Sequence, residues 1–378
     1  MKYCPKTRST LMLMAACCCA IANAQTTYRM TELGPAQSLT GGSTFGLNNA
    51  GQIGFSNSYI LDGNTGTYTT IPNIAGITRS PAGTALNTFG SAAATVRLGT
   101  NAASTRAAFY DSTTGITSLL PDFAGQQTQT FSINDSNFIV GSSRTTSASS
   151  SETAALFANG TITSLATTGF ASGQASRAVG INNNNLIVGL GRLSGDTTTQ
   201  ALVFDGFGGA VRLSLLNGTD RGEARGVNNA GMIIGVSSNL TADTRRATLW
   251  MDSTSAGVEL LRPDGFTSST VANDINELGI VVGNSSPDGI ETRAVVWENG
   301  IGYDLNNLIV NPQSNVLLRI GEAVNDNGWI VATGFNENAE LRAYLLTPEA
   351  VPEPFTMVGL AAFTLFKSRR SKKRQPLN

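Results

Sequence analysis

The sequence predicts an all-β protein built from a seven-fold repeat that closes into a seven-bladed β-propeller. The 378 residues include 41 glycines and 12 prolines, and only 13% are charged, a composition typical of strands joined by many turns. A short asparagine-centred phrase recurs along most of the chain. The segment that would complete the last repeat stands near the opposite end of the chain. Together these observations favour a ring over an open array.

Each copy of the phrase contains an anchor asparagine followed three positions later by Gly or Asn. The anchors are Asn48, Asn87, Asn134, Asn182, Asn228, Asn276 and Asn325, in steps of 39, 47, 48, 46, 48 and 49 residues. The copy at Asn87 is degenerate. It is assigned because the interval between Asn48 and Asn134 is twice the usual step. Gly and Asn best tolerate left-handed backbone, so the spacing predicts a type I turn followed by a bulge. Apolar β-branched residues flank the phrase, so each copy predicts a strand, a turn and a strand.

A third strand follows in nearly every unit, with a small residue second and a large apolar residue fifth. These segments begin at Arg106, Thr153, Gln200, Arg246, Arg293 and Arg342. A fourth short strand comes next, as at 115–120, but the last unit lacks it. The segment 27–33 supplies the missing strand from the other end, and closure would remove exposed sheet edges. The alternative is an open β-solenoid, which predicts a shorter period and gives no reason for a strand shared between the two ends.

The N-terminus, residues 1–24, predicts a signal peptide. It has a basic start, an apolar stretch from Leu11 to Ile21, and small residues at Ala22 and Ala24 before Gln25, which is the pattern that a signal peptidase cleaves. The alternative is a lipoprotein box ending at Cys17, which would direct cleavage before that cysteine. The repeat domain then occupies residues 25–349.

Residues 350–378 have three parts. The motif Val351, Pro352, Glu353 and Pro354 precedes twelve apolar residues, and a basic cluster follows. The cluster comprises Lys367, Arg369, Arg370, Lys372, Lys373 and Arg374. Twelve residues predict a short hydrophobic helix of about 18 Å, against a hydrocarbon core of roughly 30 Å. The basic residues predict a cytoplasmic C-terminus, and an ordinary stop-transfer anchor is the alternative.

This tail resembles the PEP-CTERM sorting signal of Gram-negative bacteria, which combines such a motif, a hydrophobic helix and a terminal basic cluster. The resemblance implies recognition by exosortase, removal of the tail, and delivery to the cell surface or extracellular polysaccharide. Between about residues 40 and 347 the repeat is similar to the HAF-type extracellular repeat. That family commonly has His where Arg106 and its counterparts stand. It implies a surface protein and no established catalytic residue.

Composition excludes several kinds of site. The chain has no histidine, and its four cysteines all fall within the first nineteen residues. Ser-His-Asp and Cys-His catalytic sites, zinc sites with these ligands and disulfides in the repeat domain are therefore excluded. Residues 25–352 contain 16 Arg, no Lys and 25 acids, a net charge of 16 − 25 = −9. An acidic body argues against nucleic acid as a partner.

The remaining candidate site residues are acids and tryptophans. Acids near the anchor turns suggest calcium loops as an alternative to purely structural turns: Asp135, Asp274, Glu277 and Asp326. Other acids fall near blade ends, and two of them meeting in a central channel would suit glycan hydrolysis: Asp122, Asp220, Asp264 and Asp304. Trp250 and Trp297 occupy matching repeat positions and are predicted to be core. Trp329 follows an anchor-turn glycine and is the candidate for stacking on a ligand.

The sequence thus predicts a non-catalytic, exosortase-sorted protein of the cell surface or extracellular matrix, with extracellular polysaccharide as candidate ligand. Its expected partners are the Sec machinery and signal peptidase during export, then exosortase, with transient insertion of the tail in the inner membrane. No cofactor, metal or nucleic acid is expected. The alternative function is a secreted propeller hydrolase or lyase that uses channel carboxylates.

Overall fold

The computed structural model describes residues 25–35, 46–55, 59–74, 77, 82–98, 105–123, 127–144, 151–241 and 244–349. Two predicted segments lie outside them: the signal peptide with Ala22 and Ala24, and the tail with its 351–354 motif, hydrophobic helix and basic cluster. Within the described ranges no helix has the length and apolarity needed to cross a membrane.

The described chain consists almost entirely of strands. In chain order they are β1 (Tyr28–Pro35), β2 (Gly46–Leu47), β3 (Gln52–Phe55), β4 (Tyr59–Asp62), β5 (Tyr68–Thr70), β6 (Ala82–Leu86), β7 (Ala92–Arg97), β8 (Thr105–Asp111), β9 (Ile116–Leu119), β10 (Thr128–Ile133), β11 (Ile139–Arg144), β12 (Glu152–Ala158), β13 (Thr161–Ser164), β14 (Arg177–Ile181), β15 (Ile187–Gly191), β16 (Gln200–Phe204), β17 (Ala210–Arg212), β18 (Arg221–Val227), β19 (Ile233–Asn239), β20 (Thr244–Trp250), β21 (Val258–Glu259), β22 (Thr270–Ile275), β23 (Val281–Ser285), β24 (Arg293–Glu298), β25 (Ile301–Asp304), β26 (Leu317–Val324), β27 (Ile330–Phe335) and β28 (Leu341–Pro348). A 3-10 turn, Leu305–Leu308, follows β25.

The strands form seven four-stranded antiparallel sheets. Blades 1 to 6 each contain four consecutive strands, from β2–β5 through β22–β25, while blade 7 has the order β26-β27-β28-β1. The first strands of adjacent blades contact one another, so they form the inner wall of the ring. The predicted seven-bladed propeller is confirmed, including the shared terminal strand. The β-solenoid alternative is wrong, because each repeat pairs its strands within its own sheet.

The anchor turns have the predicted geometry. In blade 1, Asn48 accepts a hydrogen bond from the Gly51 N–H (3.0 Å) and donates its own N–H to the carbonyl of Gln52 (3.1 Å). Gly51 has φ of 78°, and Asn137 and Asn185, the two asparagines at this position in other blades, have φ of 60° and 63°. Left-handed backbone thus explains why this position is always Gly or Asn.

Four blades also have a glycine seven positions after the anchor. The reason for this glycine is steric and lies in the neighbouring inner strand. Each inner strand from β6 to β26 carries a β-bulge three residues before its anchor. In blade 5 a carbonyl of the inner strand comes close to the second strand, so a Cβ added at Gly235 would lie 2.0 Å from the oxygen of Glu223. Equivalent approaches of 1.9 to 2.0 Å occur at Gly141, Gly189 and Gly283.

Replacing Gly235 with alanine is therefore expected to destabilise the protein by about 1 to 3 kcal/mol, because the obstructing atom is backbone. Gly226→Ala is the matched control, since its Cβ would first meet the end of the Ile234 side chain at 3.2 Å rather than a backbone atom. Urea denaturation of both variants measures the difference. Equal stabilities would contradict the steric explanation.

The core lies between blades. The large residue at the fifth position of the third strand is buried in every blade where the motif occurs, and Trp250 and Trp297 are completely inaccessible. Their indole N–H groups donate to the carbonyls of Ser214 (2.7 Å) and Leu261 (2.8 Å), each in the link that precedes the blade of its tryptophan. The prediction that both tryptophans belong to the core is confirmed.

Strand β1 is held from both sides. It pairs with β28 along its length, from Tyr28 opposite Pro348 to Pro35 opposite Arg342. On its other edge the link after blade 6 provides a partner, because Asn311 both accepts from the Met30 N–H (2.8 Å) and donates to the Met30 carbonyl (3.0 Å). The edge that closes the ring is thus covered rather than free.

Candidate functional site on the anchor face

We use the term anchor face for the end of the ring where the seven anchor turns lie. Because the four strands of a blade alternate in direction, the turn between its third and fourth strands lies at this end too. The opposite end carries the links between blades. The anchor face presents seven similar turns around the channel, so a departure from the repeat is easily recognised there.

The anchor asparagines link the blades in a closed ring. Each side-chain amide donates to the backbone carbonyl of the anchor in the next blade, and Asn325 returns to Asn48. From Asn48 onward the seven distances are 3.0, 3.5, 3.1, 2.8, 3.0, 2.9 and 3.0 Å. All seven residues are buried, and the side-chain oxygen accepts N–H groups of the anchor's own turn. The anchor asparagine therefore shapes its own turn and also links that turn to the anchor of the next blade.

A second set of bonds runs through the residue after each anchor. Asp135 accepts from the backbone N–H of Thr88 (2.9 Å), Glu277 from that of Asn229 (2.9 Å) and Asp326 from that of Glu277 (2.8 Å). Asp274 accepts from the N–H of Val324 in the next blade (2.9 Å). The four acids considered for calcium thus connect adjacent blades. In the part of the chain described, no three His, Cys, Asp or Glu residues group as metal ligands.

The blade-end acids lie elsewhere. Asp122 forms an ion pair with Arg106, and Asp304 with Arg293 (3.4 Å), each between the third strand and the end of the outermost one. Asp220 accepts from the N–H of Leu240 (3.0 Å). Asp264 is exposed in the link between blades 5 and 6. The structure therefore does not place these four on the inner strands, where channel-lining groups must originate.

Sequence reasoning missed a repeated ion pair. The arginine that opens the third strand contacts an acid of the fourth strand or its end in four blades. The pairs are Arg106–Asp122, Arg246–Glu259, Arg293–Asp304 and Arg342–Glu32. In blade 7 the acid belongs to the N-terminal strand, so the same contact helps to close the ring. The recurrence of Arg at this position was the available signal.

The inner wall carries a polar chain on blades 5 to 7. The bulge residue Arg225 donates to Glu223 (3.1 Å) and to Asn273 of the next blade (3.1 Å), and Asn273 donates to the carbonyl of Gly321 (3.0 Å). The bulge residue of blade 7 is Glu322, whose carboxylate accepts from the Thr333 hydroxyl (2.9 Å). Burial raises the pKa of Glu322 to about 7, although that hydrogen bond opposes the shift.

Glu322→Gln is expected to change how stability depends on pH. The folded protein retains a proton on this carboxyl between the ordinary pKa of 4.5 and about 7, and the unfolded chain does not. Stability from this group is therefore lost as the pH rises through that window. Relative to the glutamine variant, the wild type should lose up to about 3 kcal/mol between pH 4 and pH 8. Urea denaturation at both pH values measures this. If the stabilities of wild type and Glu322→Gln depended on pH in the same way, the raised pKa of the buried carboxyl would be contradicted. Glu337→Gln, at an exposed residue, is the control.

The position after the turn Gly or Asn fills the wedge between adjacent blades. In five blades it is large and apolar and packs against an inter-blade core. These plug residues are Phe138, Leu186, Met232, Ile280 and Trp329. Trp329, half-buried, lies over blade 1, where a Cβ added at Gly51 would be 2.8 Å from its ring and one at Gly63 3.2 Å. Its place is that of a plug, and ligand stacking by Trp329 stays a prediction.

The fold has known counterparts. No protein-family model matches the chain, and no curated protein matches it. A solved structure from a study of two prolyl endopeptidases aligns with a TM-score of 0.53 at 12% identity, covering 85% of this chain and 50% of that one. The β-propeller domain of the Trilobed protease from Pyrococcus furiosus aligns with a TM-score of 0.48 at 13% identity, covering 71% and 85%.

The likeness to the prolyl endopeptidase structure shows the fold alone. This chain spans about half the length of the prolyl endopeptidase structure, and the identity is too low to transfer an activity. It also has no histidine, which a Ser-His-Asp site requires.

Proposed function

We propose that the protein is an exported, surface- or matrix-associated β-propeller that binds extracellular polysaccharide without catalysing a reaction on it. The observation that carries this proposal is that the anchor-face carboxylates form structural hydrogen bonds between blades. They accept backbone N–H groups of adjacent blades and so hold the face rigid. Rigid, pre-organised surfaces favour binding because little order is lost on association.

The two ends of the sequence support the location. The leader before Gln25 supports export through the Sec machinery and signal peptidase, and the tail beginning at Val351 supports sorting by exosortase from a transient inner-membrane precursor. The closed propeller between them has a net negative charge, which suits a surface protein and opposes nucleic-acid binding.

The test of binding is retention of the purified protein on the extracellular polysaccharide of the producing organism, with polymer length measured in the same sample. We expect retention with unchanged polymer length. Absence of retention would contradict polysaccharide binding. Shortening of the polymer would instead favour the alternative hydrolase or lyase, which the raised pKa values of the Glu322 and Asp274 carboxyls support.

The sorting proposal has a separate test. Replacing Pro352, Glu353 and Pro354 together with alanine should leave full-length protein in the inner membrane, measured by fractionation and immunoblotting. Surface protein of normal mass from this variant would contradict sorting through the motif. An Asn338→Ala variant, changed in an exposed loop of blade 7, controls for expression.

A further inference from the structure

The wedge between blades 1 and 2 departs from the pattern of apolar plugs. There the plug position is Gln52, a polar residue, and among the described residues the core below it has four buried members, Ile60, Ile71, Ala92 and Tyr110. An open groove of about 530 Å³ remains at the surface, within the usual range for small-ligand sites. Its lining includes Gln52, Thr69, Phe89, Tyr110, Ser112 and Thr113.

The apolar part of the groove is aromatic. Phe89 is 66% exposed, whereas Tyr110 is nearly buried. Phe89 is the only aromatic residue two positions after an anchor, since the other six copies have Ala, Ser, Asn, Ala, Leu and Asn there. Its backbone is fixed, because its N–H donates to the Asn87 side chain (3.1 Å) and its carbonyl accepts from the Ser112 hydroxyl (2.7 Å). An exposed ring is therefore presented from a rigid turn.

The polar part of the groove offers hydrogen-bonding groups whose role as donor or acceptor follows from their contacts. The side-chain oxygen of Gln52 accepts from Asn48 (2.7 Å), which leaves its NH₂ group as a donor. The Thr69 and Thr113 side chains are exposed at the rim. The lining residues contain no charged side chain. A ligand must therefore combine an apolar face with hydroxyl groups and carry no charge, which is the chemistry of neutral sugar rings.

We propose that the groove between blades 1 and 2 binds neutral sugar rings of a glycan, which stack on Phe89 and accept a hydrogen bond from the Gln52 amide. This inference rests on the proposed function, for which it names the site and the sugar class. Without an apolar plug, the core between blades 1 and 2 contributes less to the stability of the protein. A binding site at this wedge explains why the plug is missing.

The test uses two groove variants of the whole protein. Phe89→Ala removes the stacking surface, and Gln52→Met introduces the plug of blade 5 and removes the amide. Leu278→Ala is the matched control, because Leu278 is equally exposed (70%) at the same repeat position in blade 6. Affinity is measured on the producer's polysaccharide and by retardation in gels containing dextran, galactomannan or anionic alginate. Thermal unfolding of each variant checks the fold.

We expect each groove variant to lose about tenfold in affinity, the control to stay within about twofold, and a neutral polymer to retard the wild type more than alginate does. Groove variants that bind the polysaccharide as well as the control does would overturn this inference and leave the proposed function standing. Stronger retardation by alginate, or no retardation by either neutral polymer, would also overturn it. A wild type that the producer's polysaccharide does not retain contradicts the proposed function instead.

Discussion

Asn182→Ala is expected to lower the free energy of unfolding by about 3 kcal/mol. The Asn182 oxygen accepts the N–H groups of Asn184 (3.0 Å) and Leu186 (2.8 Å), and its amide donates to the carbonyl of Asn228 (2.8 Å). Alanine removes three hydrogen bonds at a buried position, each worth about 1 kcal/mol and more where the partner is left unpaired. The effect also reaches the next blade, because the Asn228 carbonyl loses its inter-blade donor.

Equilibrium urea denaturation of Asn182→Ala and Asn338→Ala separates this effect from ordinary loss of an amide. Asn338 is exposed, so its substitution should change stability by less than about 0.5 kcal/mol. Asn182→Asp is protonated at low pH, where it keeps an acceptor oxygen and has one O–H in place of the amide donor, so there it should fall between the other two variants. If Asn182→Ala were as stable as Asn338→Ala, the ring of amides would contribute nothing to the fold.

Much of this architecture was accessible from the sequence because it depends on local chemistry. A turn that needs left-handed backbone at its fourth position restricts that position to Gly or Asn, so the seven turns were visible as a repeat. The missing strand of blade 7 was visible because a sheet edge needs a partner. Trp250 and Trp297 were placed correctly in the core because their repeat position is large and apolar in the other units.

The remainder depends on how blades meet, which one repeat does not encode. The sequence indicates a turn at Asn182, but the bond from its amide to the next blade exists only in the closed ring. Asp122 and Asp304 were considered for the channel because they end repeats, yet the outermost strand ends there. The groove beside Gln52 was missed for a related reason. A polar residue where five other blades have an apolar plug gains meaning only once the wedge it occupies is known; the remaining blade has Ser91 there.

Closure of the ring by β1 leads to the second large effect, at Tyr28. Its side chain is completely buried in the core between blades 6 and 7, so Tyr28→Ala should cost about 3 to 5 kcal/mol. Its hydroxyl has no hydrogen-bond partner in the described structure, and burial, followed by the nearby charge of Glu298, raises the pKa of the phenol. Removing that hydroxyl should cost nothing. We therefore expect Tyr28→Phe to be as stable as the wild type or more stable, by up to about 1 kcal/mol.

Arg29→Ala provides the matched control on the same strand, since Arg29 is largely exposed and pairs with Glu349 at the surface, a contact worth less than about 1 kcal/mol. Urea denaturation gives the three free energies, and amide hydrogen exchange along β28 reports whether β1 has separated from its partner. With Tyr28→Ala, exchange in β28 should accelerate before that of the inner strands, because loss of β1 exposes the edge of β28 while the anchor ring still holds the inner strands. Uniform acceleration across all seven blades would show instead that β1 and the ring unfold as a single cooperative unit. A Tyr28→Phe variant less stable than Arg29→Ala would contradict the assignment of an unpaired hydroxyl at this position.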